Sequence, residues 1–423
     1  MKLLNQDFTT ITFDDIVAHC REKHPEGVQL DYKESYPQSD LSKLFVAFSN
    51  KQGGLIIIGV KENRTTGIPE TWRGIGIDAK LVERVHQQAL SVTPMPSYQV
   101  RMTDEKKGMV FLLIRIDEGD STPYFVKNDS NVWVRTGNIR NPVDIAEPEW
   151  LELLYKKRSR ADKARKNYLS QAETVFDSGL VLEEKKRIRL IEEAKSKGDG
   201  SEKTYAQNKL GTGVELCTIT VQPFYPGKAL IKPSEIIGKA NDFRTQNNYC
   251  DFPDLNLRPI PEGAMMFKHG HNGYIECQQL YASGLFHYRF DVKTVDRQSN
   301  KPVIYCSYIL GSLATILLSS RAFYNLAGYQ GVIKLGLELE IKDRDIYFFR
   351  LTGNNPFFFD SYEEALLPNY KWEYTFNTSE LNDKNELMKL YSQIADDIHW
   401  SFGYKGIAIT VVQQFLADNH INF

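Results

Sequence analysis

Residues 26–67 read EGVQLDYKESYPQSDLSKLFVAFSNKQGGLIIIGVKENRTTG, and the rest of the chain is organised around them. Over 28–33, apolar Val28, Leu30 and Tyr32 alternate with polar Gln29, Asp31 and Lys33. A period of two predicts a strand with Asp31 and Lys33 on one face, off the core. Ser39 or Asp40 then caps a helix carrying Leu41, Leu44, Phe45 and Phe48 at helical spacing. The helix stops at Asn50, read here as its C-terminal residue. Gly53-Gly54 turns the chain into 55–60, an unbroken apolar run rich in isoleucine. Such a run predicts a strand buried on both faces. Polar Lys61, Glu62 and Asn63 follow it.

If the two strands pair, Asp31, Lys33 and Glu62 meet near neighbouring strand ends, with Glu26 just upstream. Two unit charges ~4 Å apart interact by roughly 4 kcal/mol at an effective dielectric near 20. A carboxylate cluster therefore raises its pKa values, pairs with Lys or Arg, or holds a divalent metal. Acids beside a lysine suit metal-assisted phosphodiester hydrolysis, where the metal activates water and the lysine neutralises phosphate.

Upstream, 12–23 reads as a helix with Thr12 and Asp15 as a capping box and Phe13, Ile16, Val17 and Cys20 as its apolar stripe. Downstream, 78–90 predicts a helix with Leu81, Val85 and Leu90 inward. Segments 98–102 and 110–116 read as a hairpin, and 131–136 (NVWVRT) as a strand. Residues 146–158 predict a helix with Trp150, Leu153 and Leu154 on its apolar side. This mixed order predicts an α+β domain over 1–155. Segment 156–166, KKRSRADKARK, holds seven basic residues and one acid, and opens a helical connector over 156–205 broken by Gly, Ser and Asp at 197–201. Lys156, Lys157, Arg158 and Arg160 are its candidates for gripping a phosphate backbone. Residues 206–423 predict a second α+β domain, with strands at 214–222, 263–267, 273–279, 285–291, 332–341 and 344–351, and helices at 302–327 and 381–400.

A length of 423 residues exceeds one ordinary core, so two domains are expected. A formal charge of −2 excludes a global basic signature, so any nucleic-acid surface is a local patch. Five scattered cysteines with no CxxC pair fit reduced thiols in a cytoplasmic protein and argue against a Cys-rich zinc site. The 19 residues 302–320 are uncharged, yet they include Ser307, Ser312, Thr315, Ser319 and Ser320. They are read as a buried helix rather than a membrane span.

The stretch resembles the Schlafen-type AlbA-like domain, also described as a divergent AAA or DNA-binding domain. The resemblance rests on Glu26 and Asp31-Tyr32-Lys33, on Ala47-Phe48-Ser49-Asn50-Lys51-Gln52-Gly53-Gly54, on Gly59-Val60-Lys61-Glu62, and on Val134-Arg135-Thr136-Gly137-Asn138. It covers about residues 10–150. It implies a metal-dependent endoribonuclease acting on tRNA or other structured RNA, with Glu26, Asp31 and Glu62 holding Mg²⁺ or Mn²⁺ and Lys33 near the scissile phosphate. Asp31 stands where the family's nucleases most often have Glu, and Glu62 where Asp is usual, so side-chain reach changes in opposite directions. The family's Cys/His zinc motif is not visible. The family also includes transcriptional regulators and ATP-binding members, so a non-catalytic DNA-, RNA- or ATP-binding regulator is the alternative. By analogy, a toxin-like or antiviral-defence role is implied. Family nucleases carry two facing lobes, and this chain shows one copy, so a homodimer or higher assembly is expected.

Other candidates are weaker. His269-Gly270-His271 with Cys277 or His287 lacks metal-ligand spacing. Gly74-Ile-Gly76 is followed by no GK[ST]. Tyr249, Phe252, Tyr281, Phe286 and Tyr288 are either base-stacking groups or core. Arg135 and Arg140 flank Gly137-Asn138, where they would contact phosphate or make a structural ion pair.

Overall fold

The computed structural model describes residues 3, 6, 8–37, 40–119, 121–129, 131–136, 143–198, 214–224, 229–270, 274–296, 300–329, 331–343, 345–351, 362–364 and 366–423. The fold is α+β throughout. It divides into two compact units, Met1–Arg165 with Gly328–Val332, and Lys166–Ala327 with Ile333–Phe423.

The N-terminal unit is built on a four-stranded mixed sheet. Helix α1 (Phe13–Arg21) is capped by Thr12, whose side chain and that of Asp15 form the reciprocal capping box. Strand β1 (Leu30–Lys33) leads into helix α2 (Leu41–Ser49), which ends at Asn50; Asp40 takes the position before its first turn, but its side chain makes no capping hydrogen bond. Ser39, the other candidate cap, lies outside the described residues. Strand β2 (Gly54–Ile58) pairs parallel with β1, setting Leu30 beside Leu55 and Lys33 beside Ile58. Gly53 makes the turn at φ +64, where a Cβ would lie 2.5 Å from the Ile116 carbonyl oxygen. Strand β3 (Val60–Glu62) pairs with β4 (Pro69–Trp72), and helix α3 (Leu81–Leu90) follows. Strands β5 (Tyr98–Met102) and β6 (Leu112–Ile116) form the expected antiparallel pair, and sheet order is β1-β2-β6-β5.

Both faces of this sheet are covered, as the isoleucine run predicts. Leu55 and Ile57 pack with Leu30, Tyr32, Ile16 and Cys20 on one side. Ile56 and Ile58 pack with Phe45, Phe48, Leu81 and Val85 on the other. That double cover overturns one expectation. Asp31 does not point off the core; it is fully buried, because the second face of β1 is occupied as well. Two inward assignments also change. Leu90 and Leu153 are exposed; Ala89 is buried in place of Leu90, and Leu154 is buried as expected.

Strand β7 (Trp133–Arg135) pairs with β8 (Val143–Ile145). Helix α4 runs unbroken from Pro148 to Lys197, so the helix expected over 146–158 and the connector after it are one element. It crosses the division between units at Arg165.

The C-terminal unit holds a seven-stranded sheet in the order Arg258–Ile260, Gly263–His269, Ile275–Tyr281, Phe286–Asp291, Leu216–Pro223, Val332–Glu340, Asn369–Asn377. The last strand and the helix Ile409–Asp418 carry no signal that the sequence reading caught. The apolar helix Cys306–Ala327 is long enough to cross a bilayer, but 72% of its most apolar window is buried in the fold. Its hydroxyls are served locally: Ser319 donates to the Phe243 carbonyl at 2.7 Å and Thr315 to that of Gly311 at 3.2 Å. Tyr391 donates to the Leu310 carbonyl at 2.7 Å. A helix with buried, internally bonded polar groups on an apolar ground is a core helix.

Candidate functional site

Glu26 enters from a short segment whose backbone is pinned before β1 begins. Its amide donates to the Gly67 carbonyl at 2.9 Å. Its Oε1 accepts the Tyr32 amide at 2.6 Å, which folds the side chain back along β1. The side chain is 6% exposed. Burial first, then the Asp31 charge, pushes it up to about 7, against the pull of Lys33 and the Tyr32 amide.

Asp31 projects from the middle of β1. One oxygen accepts from Lys33 Nζ and the other from Arg135 Nη1 at 2.6 Å. Lys33 also donates to the Tyr32 carbonyl at 3.0 Å and lies 3.8 Å from Glu26 Oε1. Burial draws the ammonium pKa down, but Asp31, Glu26 and Glu62 outweigh it and hold Lys33 above its ordinary value. Glu62, half-buried at the end of β3, is near enough that its charge acts on both Glu26 and Lys33. The four residues singled out in the sequence, Glu26, Asp31, Lys33 and Glu62, thus share one electrostatic neighbourhood.

Of the two roles open to Arg135, phosphate contact or structural ion pair, the second is the one found: its guanidinium is fully buried with Asp31, both side chains at 0% exposure. It donates to the Gly27 carbonyl and, at 3.0 Å, to that of Leu30, and lies 4.6 Å from the Phe48 ring centroid. Asp31 is therefore paired with two cations supplied by the chain itself, one of which, Lys33, also lies near Glu26. An Arg in a strand where it shares a face with Trp133 was the available sign that it needed an internal acid. Arg140 lies outside the described residues.

Asn50 ends α2 as expected and does more. Its Nδ2 donates to the Tyr124 and Trp133 carbonyls, both at 2.9 Å, and its Oδ1 accepts the Tyr124 amide at 2.8 Å. It ties the end of α2 to the strand that carries Arg135 and acts as a positioning residue.

The basic segment on α4 is partly spent. Lys156 pairs with Glu152 at 2.6 Å and Lys157 with Glu118 at 2.5 Å. Arg158, which also has a partner, and Arg160 are exposed, and Arg160 sits one turn beyond Lys156 on the same side of the helix. In the C-terminal unit, His269 lies 3.4 Å from Glu183, His287 3.3 Å from Glu173, and Cys277 is fully buried; His271 is outside the described residues. Phe252, Tyr281, Phe286 and Tyr288 are core.

The first unit is therefore a mixed α/β domain, packed on both faces of its sheet, whose polar centre lies along an edge strand and the strand end beside it. Residues 26–144 match the family model described as Schlafen, AlbA_2, so this part of the chain is a Schlafen AlbA_2 domain. The match opens on Glu26 and points to nucleic-acid binding. Comparison with curated proteins finds no match.

Proposed function

We propose that the N-terminal domain binds nucleic acid and cleaves RNA by metal-dependent phosphodiester hydrolysis. The observation that supports this reading is that the Lys33 ammonium is bonded to Asp31 and lies 3.8 Å from Glu26, with the Glu62 charge acting on both Glu26 and Lys33. The donor set is all oxygen, which suits Mg²⁺ or Mn²⁺. A Glu26 carboxyl held up to about 7 by burial and by neighbouring acids is a group that a divalent ion would relieve. Glu26 and Glu62 would hold the ion, with the Asp31 oxygen now shared with Lys33 as third donor. The ion, when bound, supplies an activated water and charge stabilisation.

The chain's own residues do the rest. Arg135 keeps its grip on the second Asp31 oxygen and fixes that carboxylate in place. Lys33, 27% exposed, is the one cation of the cluster able to turn from Asp31 toward a phosphate oxygen. Arg158 and Arg160 add backbone affinity. Structured RNA, tRNA in particular, is the substrate class the family resemblance suggests, with a toxin-like or antiviral-defence role and a groove completed by a second copy.

A second reading, binding without cleavage, is favoured by one observation: Asp31 is already neutralised by Arg135 and Lys33. The test is incubation of the full-length chain with tRNA and Mn²⁺, beside Glu62→Gln and Lys33→Ala. The hydrolytic reading expects products from the wild type and a loss of roughly a hundredfold or more in each variant. Salt-sensitive retention of tRNA without products supports the second reading; equal cleavage by all three sinks the first.

A further inference from the structure

The last turn of α1 and the segment after it carry His19, Glu22 and His24, which neither the sequence reading nor the hydrolytic proposal uses. We propose that these three residues bind a divalent transition-metal ion of the zinc class, with Tyr32 orienting His19. The inference stands apart from the acid cluster.

One ligand atom from each of the three residues lies within 4.8 Å of the other two. His24 Nε2 is 2.8 Å from Glu22 Oε2. The two imidazoles stack, with ring centroids 4.8 Å apart. A tetrahedral ion with bonds of about 2.0–2.1 Å separates its ligand atoms by roughly 3.3 Å. The shorter contact must open and the longer distances must close. Glu22 and His24 can provide this by rotation, since their side chains are 62% and 35% exposed. His19, 4% exposed, is the fixed member.

Tyr32 sets the state of that fixed member. Its hydroxyl has one proton and donates it to the His24 carbonyl at 3.0 Å. Toward His19 Nε2, also at 3.0 Å, it can therefore only accept. The hydrogen of His19 is thus on Nε2 and the lone pair on Nδ1. Metal-ligating histidines are commonly held in this way, by a partner on the other ring nitrogen. Neighbouring Cys20 is no ligand: it is fully buried in the apolar cluster with Ile16 and Leu55.

Two imidazoles and one carboxylate favour Zn²⁺, Co²⁺ or Ni²⁺ over Mg²⁺ or Ca²⁺. The ligand class thus differs from that of the all-oxygen cluster. A bound ion would clamp the end of α1 to the segment that delivers Glu26 two residues later.

The test is titration of metal-free, untagged full-length protein with Co²⁺, read by its ligand-field absorption and by displacement with Zn²⁺. One equivalent with a four-coordinate spectrum is expected. His24→Ala and Glu22→Gln, at a partly exposed and an exposed position, should weaken binding at least about tenfold, and Tyr32→Phe by about 10–100-fold. The double variant Glu26→Gln/Glu62→Gln should keep the spectrum. Absence of Co²⁺ binding by the wild type, unchanged binding in His24→Ala, or loss in the double variant instead would overturn the proposal.

Discussion

In the N-terminal unit, Asp31 and Arg135 meet with both side chains wholly removed from solvent. In the C-terminal unit, Glu373 pairs with Lys334 and Glu338 with Lys371, and the two carboxylates stay 48% and 42% exposed. The chemistry of the pairs is similar; the surroundings are not. Exposed pairs are screened and contribute little, whereas a buried charge deprived of its partner is costly. The same ionic vocabulary therefore builds a rigid polar centre in one unit and a hydrated sheet face in the other.

Replacing the buried cation tests that contrast hardest. Arg135→Ala leaves Asp31 interior with Lys33 alone and frees the Gly27 and Leu30 carbonyls. Urea denaturation should show a loss of about 3–5 kcal/mol. A loss below about 1 kcal/mol would place the pair in the same class as the surface ones.

Next in size is a pH effect. Glu26 is held at about 7 in the folded chain against an ordinary 4.5. Between those values the folded state keeps a proton that the unfolded state has lost. Stability contributed at this site is thus full below about pH 4.5 and is lost as pH rises through 7, by up to about 3 kcal/mol. Glu26→Gln should flatten that part of the stability–pH curve, and Mn²⁺ should raise the wild-type melting temperature more at pH 8 than at pH 6. Parallel curves for the two proteins would contradict the burial argument.

Asn50→Ala should cost about 1–3 kcal/mol, since it orphans backbone groups at Tyr124 and Trp133. Smallest of all, Lys334→Ala should change stability by under about 1 kcal/mol, and high salt should shrink even that. A large Lys334 effect would mean that the hydrated face is as rigid as the buried centre.

Much of the first unit was legible because its signals are local. The period of two in β1, the helical spacing of Leu41, Leu44, Phe45 and Phe48, and the continuous run of β2 each follow from one side-chain repeat. The gathering of Glu26, Asp31, Lys33 and Glu62 followed from placing strand ends together. What the sequence hid is long-range. Arg135 reaches Asp31 across 104 positions, and Asn50 reaches Trp133 across 83. No period encodes such pairings. Burial of Asp31 was missed for a related reason: alternation tells which residues share a face, not whether another element covers it. The strand Asn369–Asn377 is a different case: Tyr370, Trp372, Tyr374 and Phe376 share one face and Lys371, Glu373 and Thr375 the other, so its period of two was present in the sequence and was overlooked.

The most direct measurement is anomalous scattering from a crystal of the full chain soaked in Mn²⁺. The account predicts a peak within coordination distance of the Glu26 and Glu62 carboxylates, with Lys33 turned away from Asp31. Maps from well-soaked crystals that show no such peak, with Lys33 still on Asp31, would contradict it.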